Sequence, residues 1–238
     1  MLIRSWNVFH GNASPPGRRS YLERMVRLVT VDGPDVVCLQ ELPVWSLGRL
    51  ETWSGMRAVG DVARPPRLPP PLDRAVTLLD NGLFRSLVAG QAQAILLRPE
   101  LRILEHAVHV LDEGRFPGTG VRERRICQIV RLETRDEGTF LLGNLHASNP
   151  ARLAAEQVER VATHILELAE DDEPVVLAGD FNAAADLRHL GFGESGPGID
   201  HVIVRGDDPS PLHVWPVERR TLDGTLLSDH APVERSLR

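Results

Sequence analysis

The stretch Pro174-Val-Val-Leu-Ala-Gly-Asp-Phe-Asn182 decides how the chain is read. Its first five residues are apolar throughout, as a short strand buried on both faces must be. The run stops on Gly179, and two side chains with oxygen donors, Asp180 and Asn182, follow at once. Taken alone, the pair has a plain reading: either residue would cap the short segment Ala183–Leu190. Working outward changes that, because the same arrangement recurs along the chain.

Upstream, Ala151–Ala169 carries Leu153, Val158, Val161, Ile165 and Leu168 at helical spacing. Before it, Thr139–His146 reads as a strand ending in Asn144-Leu145-His146. Leu2–Phe9 alternates like a strand, with Asn7 at its end. Arg18–Val31 has helical periodicity and stops at Asp32-Gly33-Pro34. Asp35–Gln40 is another buried run, and Gln40-Glu41 ends it. Ala75–Leu79, Phe84–Val88, Gln91–Leu97, Arg102–Val110 and Arg125–Leu132 are strand-like. Downstream lie Ile199–Val204, which opens on Asp200-His201, and Leu212–Val217. Ser228-Asp229-His230-Ala231-Pro232 then leads into a last run, Ala231–Ser236. Many strands with two long helices predict an α/β sandwich of two packed sheets with helices outside. The Pro-rich stretch Ala63–Leu72 reads as a stiff surface loop, and Leu42–Trp53 as a mixed loop.

At 238 residues the chain suits a single domain, 1–238, burying roughly 70% of its unfolded surface. Hydrophobic residues make up 42% and charged residues 25%, an ordinary globular balance. No apolar run approaches the ~20 residues of a membrane span. The N-terminus lacks a signal-peptide layout, so a cytoplasmic location is expected. Cys38 and Cys127 sit in apolar runs and read as buried small hydrophobes. Net charge is −6 and every cation is Arg, which counts mildly against a nonspecific tracker of nucleic-acid backbone.

Polar groups at strand ends converge on one edge of a layered α/β fold. Carboxylates and amide oxygens without thiolates suit a hard cation: Mg²⁺, with Mn²⁺ or Ca²⁺ as alternatives. A His beside a carboxylate is the usual proton handler near neutral pH. Each residue alone has a plain use as a turn, cap or surface charge, and nine histidines are present. The ordered set carries the weight.

That set, Trp6-Asn7-Val8, Gln40-Glu41, Asn144-Leu145-His146, Gly179-Asp180-Phe181-Asn182, Ile199-Asp200 and Ser228-Asp229-His230-Ala231-Pro232, resembles the endonuclease/exonuclease/phosphatase superfamily. It spans residues 6 to 232. The resemblance implies a DNase I-like four-layer α/β sandwich of two mostly antiparallel sheets, and a metal-dependent phosphoric ester hydrolase. It implies Glu41 as the principal metal carboxylate, supported by Asn7 and Asp229, with Asp180 and Asn182 across the scissile phosphate and near the metal. Asp180 would orient or deprotonate the attacking water, and Asn182 would steady the phosphoryl oxygens. Asp200 would fix the tautomer of His230, the pair acting as general base or charge stabiliser. His146 and Arg125 would contact phosphate.

Some features depart from the family's branches. DNase I-like nucleases pair the His146 position with a Glu, for which the nearest candidates here are Gln91 and Gln93. No cation follows Gln40-Glu41, and the Lys that ring-phosphate phosphatases use is missing. The first reading is therefore a monomeric phosphodiesterase or endonuclease acting on nucleic acid or a nucleotide-like diester. The second is a phosphatase or phosphodiesterase for a small metabolite or lipid headgroup, and the third a non-catalytic binding module.

Overall fold

Two of the apolar runs lie side by side: β1 (Leu2–Asn7) pairs in parallel with β2 (Val36–Leu42), and α1 (Leu22–Val29) makes the crossover. The computed structural model describes residues 1–69, 71–82, 88–115, 122–135 and 138–237. The first sheet is completed by β3 (Arg57–Arg64), β4 (Gln91–Leu97), β10 (His213–Val214) and β11 (Val233–Ser236), in the order β10-β11-β1-β2-β4-β3. The second sheet runs β5 (Arg102–Arg115), β6 (Arg122–Glu133), β7 (Thr139–His146), β8 (Val175–Asp180) and β9 (Asp200–Arg205) in sequence order. Here too the central pair, β7 and β8, is parallel, joined by the long helix α4 (Ala151–Leu168). All other pairings in both sheets are antiparallel.

Three apolar clusters define four layers. Leu22, Met25, Val26 and Val29 of α1 and Leu50 and Trp53 of α2 (Leu50–Ser54) pack on Trp6, Val37 and Leu39 of the first sheet. Ile3, Val36, Cys38 and Ile95 meet Val130, Leu142, Val176 and Val202 between the sheets. Val158, Val161 and Ile165 of α4 cover Leu141, Leu177 and Ile203 on the far face. Because both faces of β2 and β8 are covered, their sequences are continuous apolar runs. Both cysteines are free and buried. No helix among the described residues is long and apolar enough to cross a membrane.

Several expectations are corrected. Ala75–Leu79 is not a strand but the end of helix α3 (Leu72–Leu79), since a short apolar run does not by itself distinguish the two. Leu42–Trp53 holds a 3-10 turn over Val44–Arg49 followed by α2, and β3 had no signal in the reading. The Pro-rich loop is shorter than expected: Ala63 and Arg64 belong to β3 and Leu72 to α3. Leu212–Val217 contains only the two-residue β10 before a 3-10 turn at Val217–Arg220. Of the expected strand Phe84–Val88, all but Val88 lies outside the described residues.

The inter-sheet face is what positions the site. Alternate residues of each central strand point inward, giving the rows Ile3-Ser5-Asn7, Val36-Cys38-Gln40, Leu142-Asn144-His146 and Val176-Ala178-Asp180. Each row starts apolar and turns polar toward the C-terminal end of its strand. Where the rows change character, buried amides lock the sheets together. Gln40 Nε2 donates to Asn144 Oδ1 at 2.8 Å, and Asn144 Nδ2 lies 3.2 Å from Leu39 O, 3.1 Å from Ala94 O and 3.0 Å from Gln128 Oε1.

Candidate active site

At the polar end of these rows, strands of both sheets deliver side chains to one place. Glu41 arrives by a bulge: the register of β2 against β4 shifts between Leu39 and Leu42, and Glu41 itself has φ 55°. A bulge re-aims a side chain that ordinary alternation would send to the other face. Phe9, His10, Asn182 and Ser228 also have positive φ, at 47°, 53°, 49° and 59°. Non-glycine residues in this region cost energy and gather at functional sites; here they mark the segments that follow β1 and β8, the end of β2 and the turn before His230. Gly179 has to be glycine, because a Cβ on it would lie 1.9 Å from Leu145 O. That close approach of β8 to β7 sets Asp180 beside His146.

Asp180 is the hub. Its Oδ2 accepts from Asn7 Nδ2 at 2.9 Å and lies 3.6 Å from His146 Nε2 and 3.8 Å from His230 Nε2. Its Oδ1 accepts from Asn182 N at 3.0 Å, while Asn182 Nδ2 donates to Ala147 O. Burial raises the Asp180 carboxyl to about 6, with the Asp200 charge adding to it, against the opposing pull of His230 and hydrogen bonds from Asn7 and Asn182. Glu41 is also pushed upward, first by burial, although Arg125 and His230 oppose that. Its two oxygens lie 3.7 Å from His10 Nε2 and 3.8 Å from His146 Nε2.

The His230 ring pairs with Asp200 through Nδ1, at 2.8 and 3.1 Å from the two carboxylate oxygens. Burial works to lower its pKa. The hydrogen bond with Asp200 and the charges of Asp200, Asp180 and Asp229 outweigh burial and raise it to about 9. Asp229 is itself exposed, one residue before the ring.

His146 is 2% exposed and behaves oppositely. Burial, then the neighbouring charges of Arg125, His230 and His10, hold its pKa well below the ordinary value. Arg125, also buried, places Nη1 2.8 Å from Nδ1 and 2.7 Å from Nε2 of this ring. A guanidinium only donates, so one ring nitrogen must be unprotonated and the ring neutral. Gln91 Nε2 lies 3.2 Å from Nδ1, so of the two glutamines it is Gln91 that meets His146; Gln93 donates to Ile126 O instead.

The expected residues Asn7, Glu41, Arg125, His146, Asp180, Asn182, Asp200 and His230 are thus tied by direct contacts, and Asp229 joins them through its charge. Asp180, Asp200 and His230 bring potential ligand atoms within 4.8 Å of one another. Sequence reasoning missed His10 and Arg220. His10 is buried against Glu41, and Asn81 Nδ2 donates to its carbonyl at 3.2 Å. Arg220 sends Nη1 to the carbonyls of Leu227, Ser228 and His230 at 3.2, 3.1 and 3.0 Å, and so holds the turn that carries Asp229 and His230. The sequence signal for His10 was its closeness to Asn7; Arg220 had none.

Carboxylates and imidazoles at one edge of a two-sheet sandwich, fed by a parallel strand pair from each sheet, define the DNase I-like class of fold. The chain belongs to the endonuclease/exonuclease/phosphatase family, whose sequence profile matches residues 5–235; its members are mostly metal-dependent phosphoesterases. Among solved structures, a conserved protein of unknown function from Enterococcus faecalis V583 is similar at 17% identity and TM-score 0.72, covering 100% of this chain and 99% of that one. A mannosyl-6-phosphatase from Bacteroides thetaiotaomicron VPI-5482 is similar at 21% identity and TM-score 0.67, with 100% and 99% covered. TDP2 of D. rerio, humanized by 14 mutations, gives 20% identity and TM-score 0.65, with 100% and 98% covered. At these identities the likeness concerns the fold. Comparison with curated proteins gives no match.

Proposed function

We propose that the protein is a divalent-metal-dependent phosphodiesterase that uses Asp180 as the base and His230 as the positive partner of the reacting phosphate. The observation that carries this is geometric: Asp180 Oδ2 lies 3.8 Å from His230 Nε2, and Asp200 holds the other side of that ring at 2.8 Å from Nδ1. Asp180 is raised to about 6, so it is ionised yet basic at neutral pH, while His230 is raised to about 9 and holds its proton. Titratable neighbours pushed to opposite protonation states are how acid and base roles are assigned.

The donors suit a hard cation. Glu41 and Asp180 are carboxylates whose burial is uncompensated enough to raise both, and a cation beside them would relieve that cost. Glu41, Asn7 and Asp229, together with Asp180 and Asn182, would hold Mg²⁺ or Mn²⁺. Asp180, Asp200 and His230 also form a compact donor group, but Asp200 is already committed to His230 Nδ1, so we read that pair as a dyad. The cation supplies a Lewis acid for a phosphoryl oxygen.

The chain's own residues do the rest. Asp180, held in place by Asn7 and the Asn182 amide, takes a proton from the attacking water; as the water oxygen bonds to phosphorus the ester P–O bond breaks, and the leaving oxygen takes its proton from solvent. His230, steadied by Asp200, neutralises charge developing on the phosphoryl group. His146 stays neutral, with one ring nitrogen accepting from Arg125, and so steadies that guanidinium. Arg125 adds a fixed positive charge behind that ring.

The test is hydrolysis by EDTA-treated protein with Mg²⁺ or Mn²⁺ added back. The substrates are bis-p-nitrophenyl phosphate, p-nitrophenyl phosphate, supercoiled plasmid and a single-stranded oligonucleotide. Metal-restored cleavage of the diester supports the reading, and cleavage of plasmid or oligonucleotide would extend it to a nuclease. Cleavage of the monoester alone would replace it with a phosphatase. Tight metal binding with no cleavage would replace it with a binding module.

A further inference from the structure

Helix α3 is inside out. Its polar residues Asp73 and Thr77 are buried at 0% and 1% exposure, and so, one turn on, is Asn81 at 1%. Its leucines Leu72, Leu78 and Leu79 are 54%, 52% and 78% exposed. A surface helix ordinarily turns its apolar stripe to the core and its polar face to water. The buried polar face has a use: it fastens the helix to the rim of the candidate site. Thr77 Oγ1 accepts from Trp45 Nε1 at 3.1 Å, and Asn81 Nδ2 donates to His10 O at 3.2 Å. The leucines are left facing outward, and Leu78 and Leu79 lie within one helical turn of Asn81, which touches His10.

The charge around them selects the occupant. Between Val62 and Asp80 the acids are Asp73, which is buried, and Asp80, which pairs with Arg18, whereas Arg67 is exposed. Alongside runs Pro15–Arg19, exposed and without an acid, joined to the α3 segment by Asn81 N to Arg18 O at 2.9 Å. Arg18 is 88% exposed and meets Asp80 at 3.3 Å. A chain with net charge −6 thus gathers leucines and arginines beside its site. A nucleic acid would satisfy the arginines and offer the leucines nothing. A second copy of this face would set arginine against arginine. An anionic phospholipid surface answers both, with acyl chains for leucines and headgroup phosphates for arginines.

We propose that α3, together with Pro15–Arg19, docks this protein onto an anionic phospholipid surface and holds the mouth of the candidate site against the headgroup layer. Docking needs no catalysis. Its extension, that the ester cut belongs to a membrane-held phosphate, rests on the phosphodiesterase reading above.

The experiment is co-sedimentation of the whole protein with vesicles of phosphatidylcholine alone and of phosphatidylcholine mixed with phosphatidylglycerol. The protein should pellet with the mixed vesicles and be released by salt. Replacing half-buried leucine contacts should weaken binding about tenfold each in Leu78→Ser and Leu79→Ser. Arg67→Ser should weaken it roughly fivefold. These positions are exposed, so circular dichroism and turnover of soluble bis-p-nitrophenyl phosphate should match the wild type. No pelleting with the mixed vesicles, equal pelleting with neutral ones, or unchanged binding by the leucine variants would overturn docking. A dimer in solution that the leucine variants dissolve would overturn it in favour of a second copy. If the wild type binds mixed vesicles but never cleaves a phosphate ester, docking stands and the phosphodiesterase reading falls.

Discussion

Asp180→Asn separates what the site costs from what it does. Burial raises the Asp180 carboxyl from 3.8 to about 6, so the metal-free fold carries an unfavourable buried charge at neutral pH. At ~1.4 kcal/mol per pKa unit the cost is roughly 3 kcal/mol above about pH 6, and it vanishes below about pH 4, where the group is protonated folded or unfolded. Stability is therefore lost as pH rises through the folded pKa. The amide is nearly isosteric but offers one acceptor oxygen where the carboxylate now accepts from both Asn7 and Asn182, a loss of about 1 kcal/mol. In EDTA the variant should be more stable than wild type by about 1–2 kcal/mol near pH 8 and less stable by about 1 kcal/mol near pH 4. Urea unfolding at the two pH values reads this directly, as opposite shifts in midpoint. Diester cleavage should fall by at least ~100-fold. A variant destabilised equally at both pH values would refute the argument, because the buried charge would then cost nothing.

Asp200→Asn removes the partner that raises His230. The stability this pair contributes is fully present below about pH 6.5 and lost as pH rises through about 9. In the variant the His230 imidazole, followed by NMR, should titrate well below about 9, and an unmoved titration would exclude Asp200 as the cause. Glu41→Gln should weaken Mn²⁺ binding by at least ~10-fold in calorimetry and leave the thermal midpoint in EDTA unchanged or higher, since it removes a half-buried charge that burial already disfavours. Arg220→Met removes a donor from the carbonyls of Leu227, Ser228 and His230, of which His230 O keeps Trp6 Nε1, and should cost about 2 kcal/mol in thermal unfolding. Arg220→Lys should recover part of that, and a fully stable methionine variant would mean that the turn holds itself.

What the sequence made legible followed from burial. β1, β2 and β8 are covered on both faces, so their apolar runs stood out and their terminal polar residues with them. The long helix α4 showed because its buried stripe repeats with helical period. The Ala75–Leu79 segment misled for the opposite reason: its leucines are not buried, so their pattern reports a surface. The identities of Glu41, Asp180 and His230 were readable, but how they meet was not. Glu41 reaches the cleft through a bulge and a positive φ, which no residue type in Leu39-Gln40-Glu41-Leu42 announces. Asn144 stood in the motif as a companion of His146, yet it points between the sheets and ties Gln40 to Gln128. Arg220 acts on backbone carbonyls, a partnership that leaves no spacing to find.

The cleft is assembled from two half-sites. Asn7, Glu41 and Gln91 come with one sheet, and Arg125, His146, Asp180 and Asp200 with the other. Between them lies an apolar layer pinned by a few amides, so a small slide of one sheet over the other would part Asn7 from Asp180 and Glu41 from His146 before any strand came undone. On the phosphodiesterase reading, turnover would be a strain gauge for that seam. Under pressure or mild denaturant it should fade while the sheets keep their spectral signature, and a substitution such as Asn144→Ala, buried between the sheets, should be felt first as slowed cleavage.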